Sequence, residues 1–405
     1  MAVRLALLVL AALVASCATL PPCPARGGPA WTQWESAHFI LLTDLDAADA
    51  REAVRGLEQA RAAVLAAAWR RAPEPAGRLT AVVFRSDAER RAFVSPRLLG
   101  AFVSHGPLRQ SYIVKSGAAR DDVIAHELAH AYARRYGLLD KAEWLDEGLA
   151  RYLESLRLDD DGTLTYGQID ASLFRAVQRG RLTAFENLWR DPPPERRASF
   201  SATSWIAVHY LFNHEPERFA DFQRRLIAGV PGRQAWREAY PDISDDQMDS
   251  RLGEYVFREG QFATFQLRLP PPPDDVVATP LVDAQVHALR ALLFATAGDA
   301  RTPDERASEG RKVRVEVAEA LRLDPLEPSA IYLKRLWLRE DTLDIEVPKK
   351  LIARRPTDPT GWLLLAVARR ERGENEEAVE ALEELSPLLG GSPTGDLELR
   401  VARPD

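Results

Sequence analysis

Short apolar runs alternate with longer segments of helical hydrophobic period along the first third of the chain. Residues 38–43 and 79–84 have the length and apolar character of strands, whereas 47–71 places Val and Leu along one helical stripe. The segment 121–135 is rich in Ala, Leu, Val and Ile and contains neither Pro nor Gly, so it is predicted to be a helix. A second helical run begins at Lys141.

The pattern as a whole predicts an α+β fold. Two further strands, 100–103 and 111–114, precede the Ala-rich helix, and after it the periodicity becomes mostly helical. We expect helices at 171–179, 201–213, 217–228 and 245–258. The chain should therefore combine a small mixed sheet and its helices with a helical lower lobe and, towards its end, an all-α domain.

Two histidines on the Ala-rich helix are spaced as ligands of one metal ion. His126 and His130 are four residues apart, so both imidazoles lie on one helical face and can reach the same zinc. A hydrolytic zinc site usually adds a third protein ligand and leaves the fourth position to water, and Glu147 on the next helix is the best candidate. Glu127 is placed to hold that water and remove its proton. Asp146 is expected to be an exposed carboxylate, with support of the metal site as the alternative.

These residues carry a resemblance to a known family. His-Glu-Leu-Ala-His at 126–130, followed after sixteen residues by the Glu of Trp-Leu-Asp-Glu-Gly-Leu-Ala at 144–150, resembles the gluzincin metallopeptidases. Thermolysin and aminopeptidase N belong to that group, and the two motifs are most similar to those of its bacterial peptidase-MA-like branch. The resemblance implies a zincin-like domain, with zinc between a mixed sheet and a helical lobe. Two packed histidines on an apolar helix are the alternative.

The resemblance also implies where a substrate binds. In gluzincins a strand just before the metal helix forms the sheet edge that lines the cleft, and such an edge can bind an extended peptide backbone. The residues at this position are Gly100, Ala101, Phe102 and Val103, with 112–114 on the neighbouring strand. A hairpin inside the core is the alternative.

The helix that follows the third ligand departs from the family pattern. Related sequences often place a tyrosine near its start, where the phenol stabilises the oxyanion, but this chain has Ser201 there. Tyr210 and His209, further along the same helix, are the candidates to replace that tyrosine. Packing is the alternative for each of them.

Composition and length limit the partners and the number of domains. The 405 residues carry a formal net charge of −7 without a basic cluster, which argues against a nucleic acid partner. The length is sufficient for two domains. Four consecutive prolines within 267–280 predict a semi-rigid linker. We therefore expect the peptidase-like domain at 31–266, a second domain at 281–390 and a tail at 391–405.

The first 17 residues are predicted to be a lipoprotein signal peptide. Their apolar run is too short to span a bilayer, and residues 14–17 resemble a bacterial lipobox, in which Cys17 is lipidated. An ordinary cleaved signal peptide is the alternative. Residues 18–30, rich in Pro and Gly, are interpreted as a tether to a membrane, which we expect to be the outer membrane on its periplasmic side. Lipidation of Cys17 leaves Cys23 without a disulfide partner.

The region after the prolines has an internal period. Pro325, Pro356 and Pro387 are each 31 residues apart, which is typical of a helical repeat array. The region resembles tetratricopeptide repeats, and such an array offers a concave surface to a protein partner. A small irregular helical bundle is the alternative.

Together these patterns predict a zinc-dependent peptidase of the bacterial cell envelope. Zn²⁺ would be held by His126, His130 and Glu147, with the metal-bound water activated by Glu127. The alternative is a non-catalytic, zinc-containing envelope lipoprotein that acts as a protein-interaction scaffold through its repeats. Glu127 favours catalysis, because a structural zinc site needs no base and has a fourth protein ligand instead.

Overall fold

The computed structural model describes most of the chain between residues 22 and 388. The residues left out within that range are 76, 95–99, 106–109, 118–120, 139–141, 170, 181, 258–261, 297–301 and 341. The predicted signal peptide with Cys17, the start of the predicted tether and the predicted tail lie outside the described residues.

The elements agree closely with the hydrophobic pattern. The strands are β1 (Thr32–Glu35), β2 (Phe39–Thr43), β3 (Leu79–Phe84), β4 (Gly100–His105), β5 (Gln110–Ser116), β6 (Arg157–Leu158), β7 (Thr163–Tyr166), β8 (Phe265–Arg268) and β9 (Val277–Pro280). The α-helices are α1 (Ala47–Ala68), α2 (Asp87–Phe93), α3 (Asp121–Arg135), α4 (Glu143–Leu153), α5 (Ala171–Arg179), α6 (Arg197–His214), α7 (Pro216–Ile227), α8 (Gly232–Ala239), α9 (Asp245–Phe257), α10 (Asp283–Thr296), α11 (Pro303–Leu323), α12 (Pro328–Tyr332), α13 (Glu346–Arg354), α14 (Pro359–Glu371) and α15 (Asn375–Leu388). Short 3₁₀ helices occupy Pro24–Arg26, Phe185–Trp189 and Pro194–Arg196, and Leu333–Trp337 forms a π-helical turn.

The larger sheet is mixed, as the resemblance implies. Its strand order is β4-β5-β3-β2-β1-β9, with parallel pairing of β5 to β3 and of β3 to β2 and antiparallel pairing elsewhere. A smaller antiparallel sheet contains β6, β7 and β8. Strand β4, which includes the predicted substrate strand, lies at one edge of the larger sheet.

Both faces of the larger sheet are covered by helices. Successive side chains of a strand point to opposite faces. On β3, Ala81 and Val83 join the hydrophobic core that contains α1, α3, α4 and the helices up to α9. Val82 and Phe84 join a second core built with α10, α11 and the later helices. The C-terminal helices therefore form one outer layer of the same fold, with the sheet in the middle.

The predicted linker is wrong in its last residues. Strand β9 lies within 267–280, yet it pairs antiparallel with β1, with Trp34 opposite Ala278. The proline run thus connects β8 in the small sheet to β9 in the large one. The predicted linker thus contributes a strand to the large sheet, and the helices that follow it cover one face of that sheet.

The described part of the predicted tether is also docked onto the fold. Cys23 is buried, with only 2% of its surface exposed, and its Sγ lies 3.2 Å from Nε2 of His287 on α10. Within the described residues Cys23 is a free cysteine. Residues 22–30 therefore do not act as a loose tether, because their contacts hold them on the helices that follow the prolines.

The C-terminal helices carry part of the predicted period. Pro328 and Pro359 are 31 residues apart, and each begins a helix behind an acidic cap, Glu327 or Asp358. Pro387 instead lies inside α15, so the third boundary is not a helix break. Among the described residues, no helix combines the length and the apolar composition needed to cross a membrane.

Candidate metal centre

Two helices bring the candidate ligands together. Helix α3 carries His126 and His130 and packs against α1 and β4, and α4 returns past it. Helix α4 also crosses α6 very closely at Gly148: a Cβ there would lie 2.5 Å from the backbone oxygen of Ser204 and 2.6 Å from a methyl carbon of Val208. The glycine after Glu147 therefore allows the close approach of α4 and α6.

The three predicted ligands form one cluster. Ligand atoms of His126, His130 and Glu147 all lie within 4.8 Å of one another. Nε2 of His126 and Nε2 of His130 are 3.1 Å apart, as the spacing of four residues predicts for one helical face. All three side chains are partly buried.

Each imidazole is oriented by a carboxylate on its other nitrogen. His126 donates from Nδ1 to Oε1 of Glu154 at 2.7 Å, and His130 donates from Nδ1 to Oδ2 of Asp146 at 2.9 Å. Asp146 is buried, with 7% of its surface exposed, so the expectation of an exposed carboxylate is wrong. Since the Nδ1 atoms carry the protons in these bonds, both Nε2 lone pairs face the centre of the cluster.

Two hydrogen-bond donors, Ser201 and Arg151, orient the carboxylate of Glu147. Oε1 accepts from Ser201 Oγ at 2.5 Å and from Arg151 Nε at 3.0 Å. Arg151 also donates to Ser201 Oγ at 3.1 Å and, through a terminal nitrogen, to Glu154 Oε1 at 3.0 Å. The same guanidinium therefore connects Glu147 with the carboxylate that orients His126.

The electrostatics of the cluster favour a positive charge at its centre. Burial alone lowers the pKa of His130, but its hydrogen bond to Asp146 and the charges of Asp146, Glu127 and Glu147 raise that pKa to about 9. For Glu147, burial raises the pKa, but the hydrogen bond from Ser201 and the charges of Arg151 and the two histidines outweigh it and lower the pKa. Glu147 is therefore an ionised carboxylate at neutral pH.

The donor set fits a zinc ion. Two Nε2 lone pairs and one ionised carboxylate converge on a point, and lone pairs facing each other require a cation between them, either a proton or a metal. Two imidazoles and one carboxylate are a common protein ligand set of hydrolytic zinc, with the fourth position left to water. The hydrogen bonds from both Nδ1 atoms to carboxylates are the usual support of metal-binding histidines.

Glu127 lies beside this cluster, and strand β4 packs against the helix that carries the two histidines. Glu127 follows His126 on α3, is partly buried and lies close enough for its charge to act on His130. Helix α3 packs against the edge strand β4, whose residues Gly100, Ala101, Phe102 and Val103 pair with 112–115 of β5. The prediction of two strands before the metal helix is confirmed, and their role in substrate binding remains a prediction.

Tyr210 and His209 have contacts in the core of the helical lobe. His209 is fully buried, with Nδ1 2.8 Å from the hydroxyl of Tyr255 and Nε2 3.2 Å from the backbone oxygen of Gly167. The Tyr210 ring stacks on His214. At 1.5 Å per residue, His209 lies roughly 12 Å along α6 from Ser201. These contacts give both side chains a packing role and lend no support to an oxyanion role.

The sequence interpretation overlooked Arg151 and Glu154. Arg151 lies on α4, four residues after Glu147, and Glu154 caps the end of that helix, seven residues after Glu147. Such positions form one stripe along a helix. That spacing was the available signal. In the sequence, Ser201 stands out only because related proteins often have a tyrosine at that position. In the structure its hydroxyl donates to the candidate ligand Glu147.

Comparisons with known proteins add no identification. None of the models of known protein families matches this chain, and no curated protein matches it significantly.

Proposed function

We propose that this protein is a zinc-dependent peptidase with a zincin-like catalytic half. The observation that carries the proposal is the convergence of His126, His130 and Glu147, with both Nε2 atoms directed at one point by carboxylates. The resemblance of the two motifs to gluzincins supports the same reading.

Each residue near the cluster has a chemical task in this proposal. His126, His130 and Glu147 would hold the metal, and a zinc ion there would supply a Lewis acid that lowers the pKa of a bound water to about 7. Glu127 accepts the proton of the attacking water and later donates a proton to the leaving amine nitrogen. Arg151 and Ser201 fix the carboxylate of Glu147 by donating hydrogen bonds to its Oε1.

The edge strand supplies a way to bind the substrate. An extended peptide can add to β4 at the free edge of the sheet, through hydrogen bonds between backbones. Because α3 packs against β4, a peptide bound along that edge passes close to the helix that carries Glu127. The substrate class is therefore an extended peptide segment.

The proposal predicts separate effects of the ligand and base substitutions. His126→Ala should purify without stoichiometric zinc. Glu127→Gln should retain zinc but cleave a peptide library about 10² to 10⁴ times more slowly than the wild type, because only the proton transfer is removed. Metal content is measured by elemental analysis and cleavage by mass spectrometry. Glu143→Gln, the same change at the start of α4, is the matched control and should behave like the wild type.

Two results would reject this function. Equal cleavage by the wild type and Glu127→Gln removes the proposed base. Zinc in the wild type without any cleavage favours the alternative, a non-catalytic zinc protein whose repeat-like C-terminal helices form a scaffold for a protein partner.

We also propose that the chain is exported and anchored by a lipid on Cys17, at the outer membrane facing the periplasm. The lipobox-like residues 14–17 support this localisation. Metabolic labelling with a fatty acid should mark the wild type and leave Cys17→Ser unmarked. Labelling of both, or of neither, would contradict the anchor.

A further inference from the structure

The outer face of α11 is basic and apolar over its last thirteen residues. The exposed residues of 311–323 are Arg311, Lys312, Arg314, Val315, Ala318, Arg322 and Leu323. We call the six larger ones, without Ala318, the basic face. Val315 is 68% exposed and Leu323 is 42% exposed, which places both among the most exposed large hydrophobic residues of the described chain.

The acidic residues of the same segment are turned away or already paired. Glu316 is buried, and its Oε2 accepts from His287 Nδ1 at 2.5 Å. Glu319 is partly buried and bridges Arg322 and Arg26. Arg314 pairs with Glu340, whereas Lys312 lies over the ring of Phe294. Arg311, Lys312, Arg314, Arg322 and Arg26 thus face two carboxylates, so the surface keeps a positive excess.

The N-terminal arm, residues 22–28, docks beside this face. Cys23 lies against His287, and the backbone N–H of Ala25 donates to the carboxylate of Asp283 at 3.2 and 3.3 Å. Arg26 pairs with Glu319 on α11 itself at 3.1 Å. The arm therefore reaches the basic face at Arg26, and at its other end the backbone oxygen of Pro22 accepts from Arg290 on α10 at 3.2 Å.

We propose that the basic face rests on the surface of an anionic phospholipid bilayer. Each Lys or Arg close to such a surface gives roughly a fivefold gain in binding, and exposed Val and Leu side chains can enter the interface. The six residues from Cys17 to Cys23 span at most about 20 Å, so a lipid on Cys17 holds this side of the protein near the membrane. The inference goes beyond the proposed peptidase and does not depend on the metal cluster, which belongs to the other core.

A pair of matched labels tests which surface meets the membrane. A cysteine introduced by Val315→Cys carries an environment-sensitive fluorophore on the basic face. Val379→Cys places the same label on α15, where the exposed neighbours include Glu376, Glu380 and Glu383. The full chain is reconstituted with excess vesicles of phosphatidylglycerol and phosphatidylcholine containing a nitroxide on the lipid headgroup. Wild-type protein labelled in the same way gives the background from the native cysteines.

We expect the label at 315 to be quenched several-fold more than the label at 379. The difference should shrink in pure phosphatidylcholine and at high salt, because both remove the attraction between charges. It should also shrink in Arg311→Glu/Lys312→Glu. The control Arg224→Glu/Arg237→Glu makes the same change of charge on α7 and α8 and should leave the difference intact.

Equal quenching at 315 and 379, or a difference that survives in phosphatidylcholine and after charge reversal, overturns the proposal. The vesicles are in excess, so this outcome counts whether or not Cys17 carries a lipid. Flotation of the wild type compared with Cys17→Ser reports the anchor separately. Peptide cleavage does not enter the measurement, so loss of the proposed peptidase function would leave this result unchanged.

Discussion

Two sites in this protein contain histidines that donate from Nδ1 to a carboxylate, but the surroundings of the histidines differ between the two sites. In the metal cluster, His126 and His130 each donate from Nδ1 to a carboxylate, and their Nε2 atoms face each other at 3.1 Å. On the other side of the sheet, His287 donates from Nδ1 to Glu316, and its Nε2 faces the buried thiol of Cys23 at 3.2 Å.

The difference lies in what each Nε2 meets. A second imidazole and an ionised carboxylate form a partly buried centre that needs a cation, which suits a metal. A buried thiol from the N-terminal arm instead completes the hydrogen bonding of His287, so that site fastens the arm to α10 and α11. A carboxylate–histidine pair therefore does not identify a metal site by itself. Whether such a pair can belong to a metal site depends on which atom faces the second ring nitrogen of the histidine.

The largest effect that we expect to distinguish the two sites is a loss of folding stability when His287 is replaced. His287→Ala leaves the Glu316 carboxylate buried without its partner, which should lower the free energy of unfolding by about 3–5 kcal/mol while zinc content stays unchanged. Urea denaturation and elemental analysis measure the two quantities. The double variant His287→Ala/Glu316→Ala should recover part of the loss, because no charge remains buried. Loss of zinc from well-folded His287→Ala would show that the sites are not independent.

A smaller effect is expected for the carboxylates that orient the metal ligands. Asp146→Asn should weaken zinc affinity about 10- to 100-fold, because the amide holds the His130 ring less strongly than the carboxylate does. Competition with a chelator of known affinity measures the change. Glu316→Gln is the matched control at the other histidine site and should leave zinc affinity as it is. An equal loss in both variants would argue against a local effect.

A third effect is a pH dependence of stability at the arm. Burial lowers the pKa of His287, but the hydrogen bonds to Cys23 and Glu316 and their charges raise it to about 9. Glu319 on α11 also lies within electrostatic range of His287. Since the folded pKa exceeds the unfolded value of about 6.5, this contribution to stability is fully present below about pH 6.5 and is lost as the pH rises through about 9.

Urea midpoints compared at about pH 6 and about pH 9.5 should therefore fall more in the wild type than in His287→Gln, which has no charge to lose. Parallel curves for the two proteins would show that His287 does not titrate as described.

The candidate metal cluster is largely predictable from the sequence, because the spacings that bring its residues together are local. His126 and His130 share a face through a spacing of four, and Glu154 follows Glu147 by two helical turns. The burial of Asp146 was not predictable in this way, because it depends on how α3 and α4 pack together. The same holds for Ser201, which reaches Glu147 from a residue 54 positions later.

The errors at the two ends of the chain have a different cause. Trp34 pairs with Ala278, and Cys23 contacts His287, which lies 264 positions later in the chain. A local sequence pattern cannot predict contacts between residues so far apart. Prolines 270–273 do predict an extended backbone, but not which strand follows them or where it pairs. The basic face is hidden for a related reason. Glu316 and Glu319 balance its charge in the sequence, and only their burial and pairing on α11 leave the positive side chains exposed.

The pairing of β9 with β1 means that the half of the chain with the candidate metal centre cannot be isolated by cutting at the prolines. A polypeptide ending at residue 266 would lack the strand that covers β1 and the helices that cover Trp31, Val82, Phe84 and Val114. The unpaired edge of β1 and the exposed apolar face of the sheet would favour self-association of this fragment. A shortened chain that keeps the candidate metal centre should therefore end only after the helices that cover this face of the sheet.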